Sequence, residues 1–383
     1  MADTLNTEKI NTIITDVSDD AIKKASDILR CGGLVAFPTE TVYGLGADAL
    51  NPEASKKIYE AKGRPSDNPL IVHIADIEDV YKIAETVSDK AVMLMEAFWP
   101  GPLTIILNKK IIVPDSTTGG LDTVAIRMPS HPVAARLIRE SGVYIAAPSA
   151  NTSGRPSPTL AEHVIEDMDS RIDMIIDGGA VGIGIESTIV DMTGDIPVIL
   201  RPGYITKKML EEIVGEVSID KGLIESDSNI RPKAPGMKYT HYAPKGELSI
   251  VEADIQTEIF DNGKIKRGIK DKKILNESVV EKINALVAKK NYEGYVTAVI
   301  ATKDNAASYI CDNVLVVGEA EKGLTISANL YAVLRKCDEL GADYIYSEAF
   351  DNNELSGAIM NRLLKAAGHR VIKVEGGEND SNR

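Results

Sequence analysis

Val143-Tyr-Ile-Ala-Ala-Pro-Ser-Ala-Asn-Thr-Ser-Gly-Arg-Pro-Ser-Pro-Thr159 runs an apolar, strand-like segment into a proline-stiffened loop. The loop carries hydroxyls, one amide, one Gly and a single cation, Arg155, where a loop selected for solubility would carry Lys, Glu and Asp. Short neutral hydrogen-bonding groups on a stiff backbone suit a phosphate or nucleotide held close to the main chain. A rigid surface turn reads equally well from this segment alone.

Outward from it, apolar stretches of helical and strand type intermingle. Helical patterns cover 19–31, 54–61, 89–98 and 131–141, and strand patterns cover 34–37, 70–74, 103–107, 124–128, 174–176 and 188–192. This mixture predicts an α/β domain with a twisted, mixed sheet over residues 1–217. Residues 218–246 read as a linker, rich in Lys, Asp, Pro and Gly and ending Ala234-Pro-Gly-Met-Lys-Tyr-Thr-His-Tyr-Ala-Pro244. Its length suggests a functional segment, such as a lid over a site. Residues 247–383 then alternate strand and helix regularly, which predicts a smaller Rossmann-like α/β domain.

The bulk numbers agree with two soluble domains. The chain has 383 residues, 44% hydrophobic and 26% charged, with only four Phe and one Trp, so its cores must be mainly aliphatic. No apolar run is long enough for a membrane span, and the first residues lack the pattern of a signal peptide. Three widely spaced cysteines fit neither a disulfide framework nor a zinc knuckle, and point to a reducing cytoplasm. The net charge of −14 argues against a protein that coats nucleic acid, but leaves room for an anion held by a few converging cations.

The common nucleotide signatures are absent: no Gly-x-x-x-x-Gly-Lys-Ser/Thr, and no Gly-x-Gly-x-x-Gly after a strand. With five scattered His and no Cys pair, neither a metal cage nor a Cys/His nucleophile is expected. What recurs is Arg or Lys at the end of an element beside Pro, Gly or Ser, where sheets form ligand crevices. Each such segment read alone is a turn, a cap or a surface Arg.

Taken in order, the segments match a family. They are Pro38-Thr-Glu-Thr-Val-Tyr-Gly-Leu45, Lys62-Gly-Arg-Pro65, Trp99-Pro-Gly-Pro-Leu-Thr104, Ala125-Ile-Arg-Met-Pro129, Pro148-Ser-Ala-Asn-Thr-Ser-Gly154, Glu186-Ser-Thr-Ile-Val190 and Leu200-Arg-Pro-Gly203. In order and spacing they resemble the YrdC family. The linker and trailing domain resemble its longer members, the two-domain threonylcarbamoyl-AMP synthases. The likeness spans nearly the whole chain.

The resemblance implies a nucleotidyl transfer. L-threonine and bicarbonate (or CO2) give N-carboxy-threonine, whose carboxylate attacks the α-phosphate of ATP. Pyrophosphate leaves, and a partner transferase later moves the threonylcarbamoyl group to the adenosine beside the anticodon of certain tRNAs. By motif, Thr39, His73, Arg127, Ala147 and Ser187 would hold threonine. Lys62, Ser66, Thr123, Ser149, Ser157, Arg201 and Tyr242 would hold ATP. Lys62, Arg64, Ser149 and Asn151 carry the family's Lys-x-Arg and Ser-x-Asn signature and would be catalytic. Mg2+ would bridge the phosphates largely through water, with no dedicated protein metal site. Two other readings exist for this family: an RNA-binding module with weak tRNA contact, which the acidic balance disfavours, and the carbamoyl-transferring domain of hydrogenase maturation, whose acylphosphatase-like domain and Cys-x-x-Cys fingers do not stand in this sequence.

Overall fold

A computed structural model of the chain describes residues 10–223, 242–253, 256–261, 264–269, 272–351 and 353–374. The chain divides into two compact units between residues 239 and 240. Residues 234–241 of the expected lid lie outside the described residues, and the first unit's sheet extends to Ile219, two residues into the stretch read as linker.

The first unit begins with β1 (Ile13–Asp16), α1 (Asp19–Arg30), β2 (Val35–Phe37), β3 (Gly44–Asp48), α2 (Pro52–Lys62), β4 (Ile71–His73), α3 (Val80–Ile83) and α4 (Asp89–Phe98). It continues with β5 (Leu103–Asn108), α5 (Asp115–Thr118), β6 (Thr123–Arg127), α6 (Pro132–Ser141), β7 (Ile145–Ala146) and α7 (Ala161–Met168). β8 (Met174–Asp177), β9 (Thr188–Asp191), β10 (Val198–Arg201), α8 (Lys207–Val214) and β11 (Ser218–Ile219) complete it. The strands form one mixed sheet in the order β1-β8-β2-β3-β7-β4-β6-β5-β9-β10-β11.

Alternate residues of these strands serve opposite faces. Val72, Ile105, Ile126 and Ala146 point into a large core with Ile58 of α2, Leu94 of α4, Val164 of α7 and Leu210 of α8. On the other face Val35, Phe37, Ile145, Met174 and Ile176 pack under Ile22 and Leu29 of α1 and Leu137 of α6. That second helical cover meets only the β1-to-β7 part of the sheet. Beyond it the same face continues as a small buried apolar floor of Ile71, Ile106, Ala125, Ile189 and Leu200.

Local chemistry sets the helix ends. Ser18 caps α1 by accepting from the Ala21 N–H. Asn51 caps α2, Pro52 opens it, and Gly63 closes it in the left-handed region at φ 61°. That leaves Lys62 as the last helical residue, where a cation also favours the helix dipole.

The second unit contains β12 (Glu247–Ala253), β13 (Gln256–Asp261), β14 (Lys264–Ile269), α9 (Lys272–Tyr292), β15 (Thr297–Thr302), β16 (Val314–Gly318), α10 (Gly323–Glu339), β17 (Tyr344–Glu348), α11 (Ser356–Ala366) and β18 (Val371–Val374). β13 and β14 form a hairpin, and the other five strands form a parallel sheet ordered β16-β15-β17-β12-β18. Parallel pairing with intervening helices is the Rossmann-like arrangement expected from the alternation. No helix among the described residues is long and apolar enough to cross a membrane.

Candidate functional site

Directly opposed residues of paired strands present their side chains to one face. The register through β10, β9, β5, β6, β4 and β7 therefore sets Arg201, Ile189, Thr104, Arg127, His73 and Ile145 in a single row. Ile145 marks the face, since it belongs to the core under α1 and α6. Four of the six are polar, all are buried, and Ile189 joins the row to the apolar floor, which continues two residues along the strands with Ile71, Ala125 and Ile106.

Arg127 is the centre of that row and is only 4% exposed. Its Nη1 donates to Thr41 Oγ1 at 2.9 Å, and Nη2 stands 2.7 Å from Glu40 Oε1. Thr39 uses its proton on the Val42 carbonyl at 2.6 Å, so across the 2.9 Å contact between the two threonine hydroxyls Thr41 is the donor. A directed chain thus runs from Arg127 through Thr41 and Thr39 to the backbone. The guanidinium Nε has no hydrogen-bond partner among the described residues, and the Nη2 contact with Glu40 is ionic without a well-aligned hydrogen bond. One edge of the fork is therefore available to a planar anion.

The charges around it are unequal in strength. Burial pushes the Glu40 carboxyl up, but the Arg127 guanidinium more than reverses this and holds it below the ordinary carboxylate range. Burial, helped by the Arg127 charge, takes His73 down to about 3, so its imidazole is neutral at physiological pH. His73 Nδ1 lies 3.0 Å from the Ile71 carbonyl and 3.3 Å from that of Ile145. Carbonyls only accept, so Nδ1 carries the proton and Nε2 is left as an acceptor.

The cationic signature and the hydroxyl loop also meet. Lys62 is 3% exposed, and its Nζ donates to the Ser149 carbonyl at 2.5 Å and to that of Asn151. Ser149 Oγ donates to Asn151 Oδ1 at 2.5 Å, while Asn151 Nδ2 donates to the carbonyls of Thr152 and Arg155 at 2.8 and 2.9 Å. Gly44 and Ser149 form a bridge beside β3, and the Ser153 N–H donates to the Lys62 carbonyl at 2.9 Å. Arg64 reaches the Asn68 and Pro69 carbonyls at 3.4 and 3.3 Å, folding the following loop back on itself.

At the other end of the row, Arg201 donates from Nε to the Ser187 carbonyl at 3.0 Å and from Nη2 to Ser187 Oγ at 3.1 Å. Ser187 Oγ also lies 2.7 Å from Thr104 Oγ1. Ser157 is fully buried and donates to Glu186 Oε1 at 2.6 Å.

The expected residues therefore fall into groups. Thr39, Arg127 and His73 cluster, Ser187 and Arg201 join one another, and Lys62, Ser149 and Asn151 form a third group. Ala147 is buried, its N–H donating to the Ile71 carbonyl at 2.8 Å. Thr123 and Arg127 occupy opposite ends of β6, about 13 Å apart at the usual rise, yet share a face because they are four residues apart. Ser66 is exposed on the loop after α2. Tyr242 is buried, has φ 67°, and stacks on Tyr331 of the second unit with ring centroids 5.0 Å apart. The sequence reading did not single out Glu40, Thr41, Thr104 or Glu186 as site residues. The signal was present for Thr104 in strand alternation and for Glu40 in its place between two hydroxyls.

Among the described residues no group of three or more His, Cys, Asp and Glu could hold a metal ion.

Comparison with known proteins bears on this geometry. Residues 27–203 match the Sua5/YciO/YrdC family model, described as "Telomere recombination", and residues 205–368 match the C-terminal domain of threonylcarbamoyl-AMP synthase. The threonylcarbamoyl-AMP synthase of Bacillus subtilis is 49% identical over 93% of this chain and 95% of its own length. The chain belongs to the threonylcarbamoyl-AMP synthase family. Its Pyrococcus abyssi member is 47% identical over 92% of this chain and 96% of its own. A crystal structure of P. abyssi Sua5 complexed with L-threonine superimposes with a TM-score of 0.85 at 45% identity, covering 95% of this chain and all of the other. The family's mixed α/β architecture and its two sheets are those described above.

Proposed function

We infer that the chain is an enzyme making threonylcarbamoyl-AMP from L-threonine, bicarbonate or CO2, and ATP, with release of pyrophosphate. The observation that carries this is the buried Arg127, one edge of its fork unpaired, beside a neutral His73 in a single sheet row, in a chain of this family.

In this reading the Arg127 edge takes the threonine carboxylate, and His73 Nε2 accepts from the threonine hydroxyl. Thr39, Ala147 and Ser187 shape the rest of that subsite. ATP lies over the apolar floor toward Thr123, with Lys62, Ser66, Ser149, Ser157, Arg201 and Tyr242 as its partners. The carbamate oxygen of N-carboxy-threonine forms the new bond to the α-phosphorus, and the bond to the pyrophosphate oxygen breaks. In-line displacement of this kind needs positioning and charge stabilisation more than a covalent nucleophile. Lys62 and Arg64 supply charge, while Ser149 and Asn151 hold the loop that supplies hydrogen bonds. Lys62, by binding two loop carbonyls, ties the cation to the loop it serves. Mg2+, bound to the phosphates and water, would add charge neutralisation there.

The product is a mixed anhydride, so a transferase acting on tRNA must consume it. A weak tRNA contact and a cytoplasmic location belong to the same proposal. Incubating the purified chain with ATP, Mg2+, bicarbonate and L-threonine, and following pyrophosphate, tests it. Release with threonine but not serine is expected, and release independent of the amino acid overturns it. Tight RNA binding without pyrophosphate release would favour the binding module.

A further inference from the structure

Glu40 is a partly buried ionised group of the site that the proposed chemistry leaves without a task. Its side chain is 13% exposed, against 5% for that of its partner Arg127, and the two form an ion pair at 2.7 Å. The backbone N–H groups of Glu40 and Ser130 also face its carboxylate, but neither oxygen receives a well-aligned hydrogen bond among the described residues, so the group retains acceptor capacity. The rest of the neighbourhood is neutral. His73 carries no charge, Thr39 and Thr41 offer hydroxyls, and burial lowers the tendency of the nearby His131 to protonate. Arg201 is three strands along the row, about 14 Å at the usual strand spacing. The subsite is thus a self-neutralised pair, one guanidinium against one carboxylate.

That balance discriminates between ligands by charge. A simple carboxylate docked on the open edge of Arg127 brings a second negative charge beside Glu40, in surroundings that screen poorly. An amino acid zwitterion brings the same carboxylate together with an ammonium, and Glu40 is a free acceptor of matching sign. We infer that Glu40 is a specificity-determining residue for the first binding step: before the amino group is carboxylated, it makes the threonine subsite select zwitterionic α-amino acids and reject carboxylates that lack the α-amino group. The inference rests on the reading of Arg127 as the partner of the threonine carboxylate. A purely structural Glu40, acting only to steady Arg127, would weaken every carboxylate ligand alike when replaced.

The test is a ratio of affinities, measured by calorimetry on the full chain without ATP or bicarbonate. The two probes are L-threonine and 3-hydroxybutanoate, which is threonine without its amino group. The wild type is expected to prefer threonine by at least about a hundredfold, and comparable affinities overturn the inference with no variant needed. In Glu40→Gln the preference is expected to shrink at least about tenfold, with 3-hydroxybutanoate losing less than threonine or gaining. Glu40→Asp, which keeps the charge, is expected to restore most of it. Equal weakening of both ligands in Glu40→Gln overturns the inference while leaving the threonine site standing. Undiminished threonine binding in Arg127→Ala instead removes the site reading on which it rests.

Discussion

Glu40, in the loop after β2 of the first unit, and Glu348, at the end of β17 in the second, are both carboxylates largely withdrawn from solvent, yet their surroundings set them apart. Glu40 faces a guanidinium, and that charge outweighs burial and keeps it ionised. Glu348, the last residue of β17, accepts from Thr302 Oγ1 and the Tyr309 hydroxyl, each at 2.9 Å. Burial pushes the Glu348 carboxyl up, and these hydroxyls offset it only in part. The same residue type is a charge held ready in one unit and a satisfied polar network in the other. A site for an ionic ligand needs a buried charge whose partner is incomplete, as Arg127 is, and the second network is complete within itself.

The largest effect that sharpens this contrast is expected for Arg127→Ala. It removes the proposed anchor of the substrate and strands Glu40 as an uncompensated charge. Breaking a buried pair in this way costs roughly 3–5 kcal/mol of stability, and loss of the charge partner weakens threonine binding by roughly 2–5 kcal/mol. Chemical denaturation and calorimetric titration measure the two separately. Arg127→Lys should recover much of the stability but little of the affinity, since an ammonium cannot reproduce the fork.

Next in size is the difference between two identical substitutions. At neutral pH Glu40→Gln is expected to cost about 3 kcal/mol, the low end for removing one partner of a buried ion pair, since Arg127 keeps Thr41 as a partner. Glu348→Gln should stay within about 1 kcal/mol, because the amide carbonyl accepts from one of the two hydroxyls and its NH2 donates to the oxygen of the other once that hydroxyl rotates. Equal costs in urea unfolding would break the contrast.

Much of the first unit was legible because its helices and strands carry clear periodicity. α4 was read as 89–98 and occupies Asp89–Phe98. β3 was not foreseen, because Gly44-Leu-Gly-Ala-Asp48 has the composition of a loop. Gly46 is a packing requirement: a Cβ there would stand 2.7 Å from Ile145 Cγ2 and 2.8 Å from Phe37 Cε1. Only the sheet shows that, and β3 is what brings Gly44 beside Ser149. The strand that the Leu200-Arg-Pro-Gly203 motif follows has no bounds legible in sequence, and β10 runs Val198–Arg201, into the motif itself. The site motifs were visible as segments, but the row from Arg201 to His73 depends on pairings between strands distant in sequence. Thr104 falls opposite Arg127 only through the antiparallel register of β5 and β6. Glu40 escaped because a carboxylate between two threonines looks like a turn until its cation, 87 residues later, folds against it.

The pH dependences extend the comparison, and they run in opposite directions. His73 is held at about 3 in the folded chain, below its ordinary 6.5. Between those values the unfolded chain binds the extra proton, so stability falls as pH drops from about 6.5 toward 3. Trp99, the only Trp, is buried in the first unit and donates to the Leu103 carbonyl at 2.7 Å, so its fluorescence reports this unit's unfolding. His73→Asn should flatten that acid slope. Glu348 is shifted the other way, above its ordinary 4.5. The unfolded carboxyl then loses its proton first, so the stability it contributes is complete below about 4.5 and lost as pH rises through the folded value. Amide hydrogen exchange of β15 and β17 should show the loss in the wild type and not in Glu348→Gln. A wild-type second unit whose protection instead rises over that window would mean that Glu348 is ionised like Glu40, and the two carboxylates would be alike after all.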